Sequence, residues 1–131
     1  MELLLCILYP LAFIRVRFVL PALLLHAGLI IASAFRYGRI PLMGPRDTLS
    51  FLAFSIGACY LVAAWRSTRD ATTSLVIPLI LLLLAGSFLS PAITGPLPPV
   101  LRTIWFELHV ILSFVAYALF AMGAVFGILF L

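Results

Sequence analysis

The sequence predicts an all-α integral membrane protein with about five transmembrane helices. Three observations carry this. Hydrophobic residues make up 66% of the chain and charged residues 9%, with a mean hydropathy of +1.32, whereas a soluble domain is roughly one-half apolar and one-quarter charged. The apolar residues form continuous runs rather than alternating with polar ones, which selects helices over a barrel, the two structures that satisfy their own backbone in lipid. The charges and the Gly/Pro clusters fall between those runs. Residues 1–131 thus read as a single transmembrane helical domain.

The first run, Leu3 to Ile14, ends at Arg15 and Arg17. It is short against the about 20 residues that a spanning helix needs, so the sequence leaves open whether it spans. It does not read as a signal peptide: Glu2 precedes it in place of a basic region, and no small-residue cleavage pattern precedes Arg15. The second run, Phe18 to Phe35, carries Pro21 near its start, where a missing N–H costs little, and His26 in its middle. Arg36, Tyr37 and Arg39 close it as interfacial residues do. A Gly/Pro-rich loop follows, with Asp47 or Thr48 as the expected N-cap of the third run, Leu49 to Trp65. The fourth run, Ser74 to Leu89, has Pro78 in its second turn. The proline-rich stretch Ser90 to Pro99 is not a regular helix, since each proline removes a donor and fixes φ. The fifth run, Thr103 to Leu131, is the longest. It ends without a capping signal, so the chain is expected to be the N-terminal part of a longer protein or of a split one.

All eight basic residues are arginines, gathered at segment ends, and the net charge is +4. No basic stripe exists, so nucleic acid is not the expected partner; the lipid bilayer is. Arg15, Arg17, Arg66 and Arg69 fall on one side of the membrane and Arg36, Arg39, Arg46 and Arg102 on the other. The positive-inside count therefore gives no orientation. The short basic turns suggest the cytoplasmic side, and the loops 36–47 and 90–104 are expected outside. Cys6 and Cys59 stand singly in apolar runs, without metal-ligand spacing, and read as packing residues. The sequence offers no nucleophile with a base, no Gly-rich phosphate loop and no carboxylate pair.

Two histidines remain. An ionisable group in a spanning helix marks a functional site by default, and imidazole is an axial ligand of haem iron. His109 lies near the start of the fifth run, on a helical face with Trp105, Ser113, Ala116, Phe120, Gly123 and Gly127. Gly123 and Gly127 form a GxxxG pair, so that face is expected to be a close-packed seam. Spacing alone allows either a ligand or an interfacial histidine bonded to a loop carbonyl. His26 lies about 15 Å below its helix end and His109 about 8 Å below, from the helical rise. Such a mismatch argues against both serving one haem, and suits His26 to interhelical hydrogen bonding. Arg36, Arg39, Arg46 and Arg102 could meet haem propionates or lipid headgroups.

The stretch Gly38-Arg-Ile-Pro-Leu-Met-Gly-Pro-Arg-Asp-Thr-Leu-Ser-Phe-Leu-Ala-Phe54 and the stretch Leu97-Pro-Pro-Val-Leu-Arg-Thr-Ile-Trp-Phe-Glu-Leu-His-Val110, followed by Tyr117, together resemble the CcsA (ResC-type) family of cytochrome c biogenesis proteins. HemX-like and YpjD-like membrane proteins share parts of the pattern. The resemblance runs from about Phe18 to Leu131. It implies that His109 is an axial ligand of haem b near the outer face, with Trp105 matching the family's tryptophan before it; Arg46, Arg102 and His26 stay as secondary candidates from the reading of the residues alone. It further implies a bacterial inner (cytoplasmic) membrane, a CcsB-type partner, and delivery of haem to apocytochrome c within a haem lyase (synthase) complex, no enzyme by itself. Departures are Asp47-Thr48 for the family's Glu-Ser, Phe54 for a tryptophan, and Ser33-Ala34 for an Arg-Trp. The family's tryptophan-rich WWD segment and second outer histidine are not among these residues. Two other readings compete: a non-catalytic structural subunit of a larger membrane complex, and a b-type haem electron-transfer subunit using His26 and His109.

Overall fold

The computed structural model describes residues 2–13, 18–38, 40, 42, 44–66, 70–93, 98–99 and 103–131. Its elements are helices: α1 (Glu2–Leu8), a 3-10 turn (Tyr9–Phe13), α2 (Val19–Tyr37), α3 (Gly44–Arg66), α4 (Asp70–Leu89) and α5 (Ile104–Phe130). The last four are long and apolar enough to cross a membrane. The chain is an all-α, multi-pass membrane protein.

The first apolar run forms something other than a regular span. Its α-helix covers 7 residues, and Pro10 sits in the 3-10 turn that follows. Leu5 and Tyr9 are nevertheless fully buried, because this segment packs against α4 and α2. Arg15, Arg17, Arg39, Arg69 and Arg102 lie outside the described residues.

The loop expected over 36–47 is shorter than the sequence suggested. Arg36 occupies the last turn of α2, and Gly38, at φ 64°, closes that helix by donating its N–H to the Ala34 carbonyl. α3 then begins at Gly44, so Asp47 and Thr48 lie inside its first turns rather than capping it. Thr48 Oγ1 donates back to the Gly44 carbonyl at 2.9 Å. The helix starts early because backbone in lipid must satisfy itself, and Pro45, which has no N–H to leave unpaired, suits its first turn. Gly44 has φ 88°, and a Cβ there would stand 2.8 Å from Ile93 Cδ1. Only glycine permits both the backbone conformation and the approach. α4 likewise starts before the expected Ser74, which puts Pro78 in its third turn, with its ring exposed.

α3 is the centre of the bundle, packed most extensively on α4, then on α5 and α2. Ala53, Ile56 and Tyr60 of α3 meet a buried row of Val76, Ile77, Ile80 and Leu84 on α4. Polar side chains within the spans follow two patterns. Ser55, Ser74, Ser90 and Ser113 donate to carbonyls three or four residues back, which hides a hydroxyl within its own helix. Others bind elements together: the Tyr60 and Thr73 hydroxyls share a 2.6 Å hydrogen bond, and Ser87 Oγ donates to the Arg46 carbonyl at 2.8 Å. The Ser87 bond and the Ile93–Gly44 contact join the end of α4 to the start of α3. The end of α2 and the start of α5 belong to that same end of the bundle, by alternation of the spans.

Candidate functional site

α5 carries His109. Its start is fixed by Thr103, whose extended backbone (φ −125°) lets its hydroxyl accept from the Phe106 N–H at 3.3 Å. Phe114 then anchors it: the ring lies 5.3 Å from Phe51 of α3, centroid to centroid, and 6.5 Å from Tyr117. Further along, Ala118, Met122 and Val125 form its buried stripe.

That stripe determines where His109 points. Ala118 lies nine residues on, which at 3.6 residues per turn is a rotation of about 180°. The imidazole is therefore on the face turned away from the bundle, and His109 is exposed. Trp105, one turn earlier, shares that face and is 76% exposed. The seam expected along Trp105, His109, Gly123 and Gly127 is not a contact within this chain. A Cβ added at Gly123 or Gly127 would meet nothing within 4 Å. The reason is that α5 docks through its larger apolar side chains, which bury more area than glycines can. Ser113 donates its hydroxyl to the His109 backbone carbonyl at 2.8 Å, not to the ring. Among the described residues, the His109 imidazole has no hydrogen-bond partner, so the loop-carbonyl arrangement considered for it is not formed with any of them.

His26 is arranged in the opposite way. It is 1% exposed. Its Nδ1 lies 3.2 Å from Tyr9 Oη and its Nε2 3.0 Å from Ser50 Oγ. Whichever tautomer is present, one ring nitrogen donates and the other accepts. The ring also meets Phe54 edge-on at 5.6 Å and Tyr9 at 6.1 Å. His26 is thus a hydrogen-bonding bridge between the 3-10 turn, α2 and α3. Both of its nitrogens are engaged, so it offers iron no vacant lone pair in this arrangement, and an electron-transfer subunit ligating haem through both histidines gains no support from it.

Of the other sequence candidates, Arg46 lies half-buried in the first turn of α3 and engages a neighbouring residue. Arg102 lies outside the described residues. Sequence reasoning missed Tyr9 and Ser50, which lie 17 and 24 residues from His26. The signal for Ser50 was weak: a small hydroxyl at the second position of an apolar run. Tyr9 gave none, since its segment was too short to place. No group of three or more His, Cys, Asp or Glu side chains capable of holding a metal ion occurs among the described residues.

No protein-family model matches the chain, and no solved structure does. Curated relatives do. The chain is 32% identical over 109 residues to the cytochrome c biogenesis protein CcsA of Picosynechococcus sp., covering 80% of this chain and 32% of that protein. It is 33% identical over 98 residues to the CcsA of Rippkaea orientalis, covering 72% and 29%. The CcsA of Heterosigma akashiwo gives 31% over 101 residues, covering 74% and 31%. The chain therefore spans about a third of the length of the curated relatives it matches.

Proposed function

This chain belongs, by partial homology, to the CcsA-type family of cytochrome c biogenesis proteins, and from that premise we propose that it handles haem for cytochrome c maturation, with His109 as one axial ligand of haem b. The observation that carries the assignment is the state of His109. It is an imidazole without a side-chain partner among the described residues, about one and a half turns into a spanning helix, on a face that the bundle leaves open. A buried polar group is normally satisfied, and an intramembrane histidine left unpartnered among the described residues suits a ligand supplied from outside. Trp105 on the same face offers an apolar, polarisable surface beside that ligand. Arg46, at the start of α3, belongs to the same end of the bundle and suits a propionate by a charge-assisted hydrogen bond; Arg102, the other sequence candidate for that role, lies outside the described residues.

The residues fit one face of the cofactor only. The 50 Å³ cavity beside His26 is far too small for a macrocycle, and His26 is committed to Tyr9 and Ser50. The second ligand and the opposite wall therefore come from other polypeptide, in this reading a CcsB-type partner or a further part of the same protein. When bound, haem supplies the vinyl groups that become attached to apocytochrome c. What this chain does is hold the imidazole at a fixed depth through the Thr103 cap and the Phe114 anchor, and keep its nitrogen vacant by turning it from the bundle. We place the protein in a bacterial inner membrane, with the 38–43 and 90–103 connections on the outer side, where apocytochrome c would meet it.

The test is to purify the protein from its native membrane with its natural partners and to record haem content and cytochrome c maturation. His109→Ala should lose both while the helical content is retained. Unchanged haem and maturation in a folded His109→Ala protein would falsify the assignment.

A further inference from the structure

The cavity beside His26 has an unusual lining for the interior of a membrane bundle. It measures about 50 Å³ and is bounded by Leu5, His26, Leu29, Ile30, Ser33, Asp47 and Ser50. Four of these seven are polar, and one carries a carboxyl group. They are stacked along the membrane normal. Ser33 is seven residues beyond His26, two turns along the same face of α2 and about 10 Å nearer the helix end. On α3, which runs the other way, Asp47 lies one turn above Ser50 on a shared face. The slot thus extends from the end of the bundle that bears His109 down to the buried imidazole. Asp47 has an interaction of its own at the upper end.

A slot of this size accommodates one to a few waters, since each needs about 10–15 Å³ of such volume. It also supplies the polar partners that a buried water requires: the Ser33 and Ser50 hydroxyls and the Asp47 carboxyl. Left dry, it would turn the half-buried Ser33 hydroxyl toward empty space beside an apolar bundle, and desolvating a polar group without a compensating hydrogen bond is costly.

We propose that this slot is a hydrated inlet through which His26, although buried at mid-membrane, exchanges its ring proton with water from the His109-bearing end of the bundle. Ser50 is the contact point. Its Oγ lies 3.0 Å from Nε2 and lines the slot. In the tautomer that carries its proton on Nε2, exchange swaps that imidazole proton for one water proton through the hydroxyl, so no charge is left behind and no other reactant is required. The remaining neighbours of the ring close the other directions: Tyr9 from the 3-10 turn on Nδ1, and Phe54 of α3 on one edge. Tyr9 and Asp47 are the titratable groups in this neighbourhood; one sits beyond the ring, the other at the mouth. The inlet gives His26 the access of a proton-carrying group, where packing alone would need no polar lining at Ser33.

The chain has two histidines, which makes a direct test practical. The full-length protein, labelled with 15N-histidine and reconstituted in lipid nanodiscs, is examined by NMR for magnetisation transfer from water to imidazole N–H. A His109→Gln sample assigns the remaining signal to His26. Transfer to His26 is expected in the wild-type protein, and Ser33→Leu, which plugs the slot two turns away from the ring, should reduce it at least tenfold while the His26 nitrogen shifts stay in place. Ser33→Val provides a milder plug with an intermediate reduction. A wild-type His26 N–H that receives no magnetisation from water overturns the proposal, as does undiminished transfer in a folded Ser33→Leu or Ser33→Val protein.

Discussion

The two histidines occupy spanning helices, yet the bundle treats them in opposite ways. His26 is enclosed by three elements, with both nitrogens hydrogen-bonded. His109 stands on the outer face of α5 with its ring unpartnered among the described residues. The difference does not come from local sequence, since both sit in runs of leucine, isoleucine, valine and alanine. It comes from which face of each helix carries the contact side chains. α2 buries Val19, Ala22, Leu23 and His26, an i, i+3, i+4, i+7 stripe that includes the histidine. α5 buries Ala118, Met122 and Val125, a stripe about half a turn round from His109. Whether a histidine of this bundle is enclosed as a bridge or turned outward therefore follows helix rotation.

That contrast can be attacked from either side. The largest effect is expected at His109: replacing it by alanine should lower haem content by more than the about 10–100-fold lost when an outer-shell partner of a metal ligand is removed, with little change in stability. Haem absorbance against protein concentration measures this. His26→Leu should do the converse. It strands the Tyr9 and Ser50 hydroxyls, so reversible unfolding in mixed micelles should show a loss of about 1–3 kcal/mol for a buried unsatisfied group. Equal behaviour of the two variants would erase the distinction.

Gly57→Val tests the packing that encloses His26. A Cβ at Gly57 meets Leu23 Cδ2 at 3.0 Å, the Tyr9 hydroxyl at 3.4 Å and Ile80 Cδ1 at 3.6 Å. Overpacking at this junction should destabilise the protein by about 1–3 kcal/mol and disturb the Tyr9–His26 bond, visible as a shifted histidine 15N signal. Ser87→Ala removes the bond to the Arg46 carbonyl that joins α4 to α3 near the His109 end. A loss of about 0.5–1.5 kcal/mol is expected from a single hydrogen bond. The smallest effect belongs to Gly123→Leu. Its added side chain finds open space, so unfolding of the isolated chain should change by under about 0.5 kcal/mol. A large destabilisation there would show that the outer face of α5 is packed after all, and would weaken the open-ligand reading of His109.

Much of this was legible in the residues. The four long runs became the four helices. The mid-span position of His26 pointed to interhelical hydrogen bonding, which the Tyr9 and Ser50 bonds realise. Three expectations failed for identifiable reasons. Asp47 and Thr48 read as caps because their side chains favour that role, but α3 had already begun at Gly44. The GxxxG face read as an internal seam because small residues permit close approach, but permission is not a contact. The loop over 36–47 read as longer than it is, because arginines mark an interface and not the end of a helix.

Sequence by itself determined the class of structure and the depth of each polar residue. The reason is that lipid acts as a uniform solvent on every span, so hydropathy and the helical rise suffice. Only the tertiary structure decided rotation: which histidine faces the bundle, which faces out, and which hydroxyls 17 and 24 residues away complete His26. Rotation depends on apolar contacts between side chains far apart in the chain, and within a helix that is apolar on all sides no local pattern of polarity specifies it.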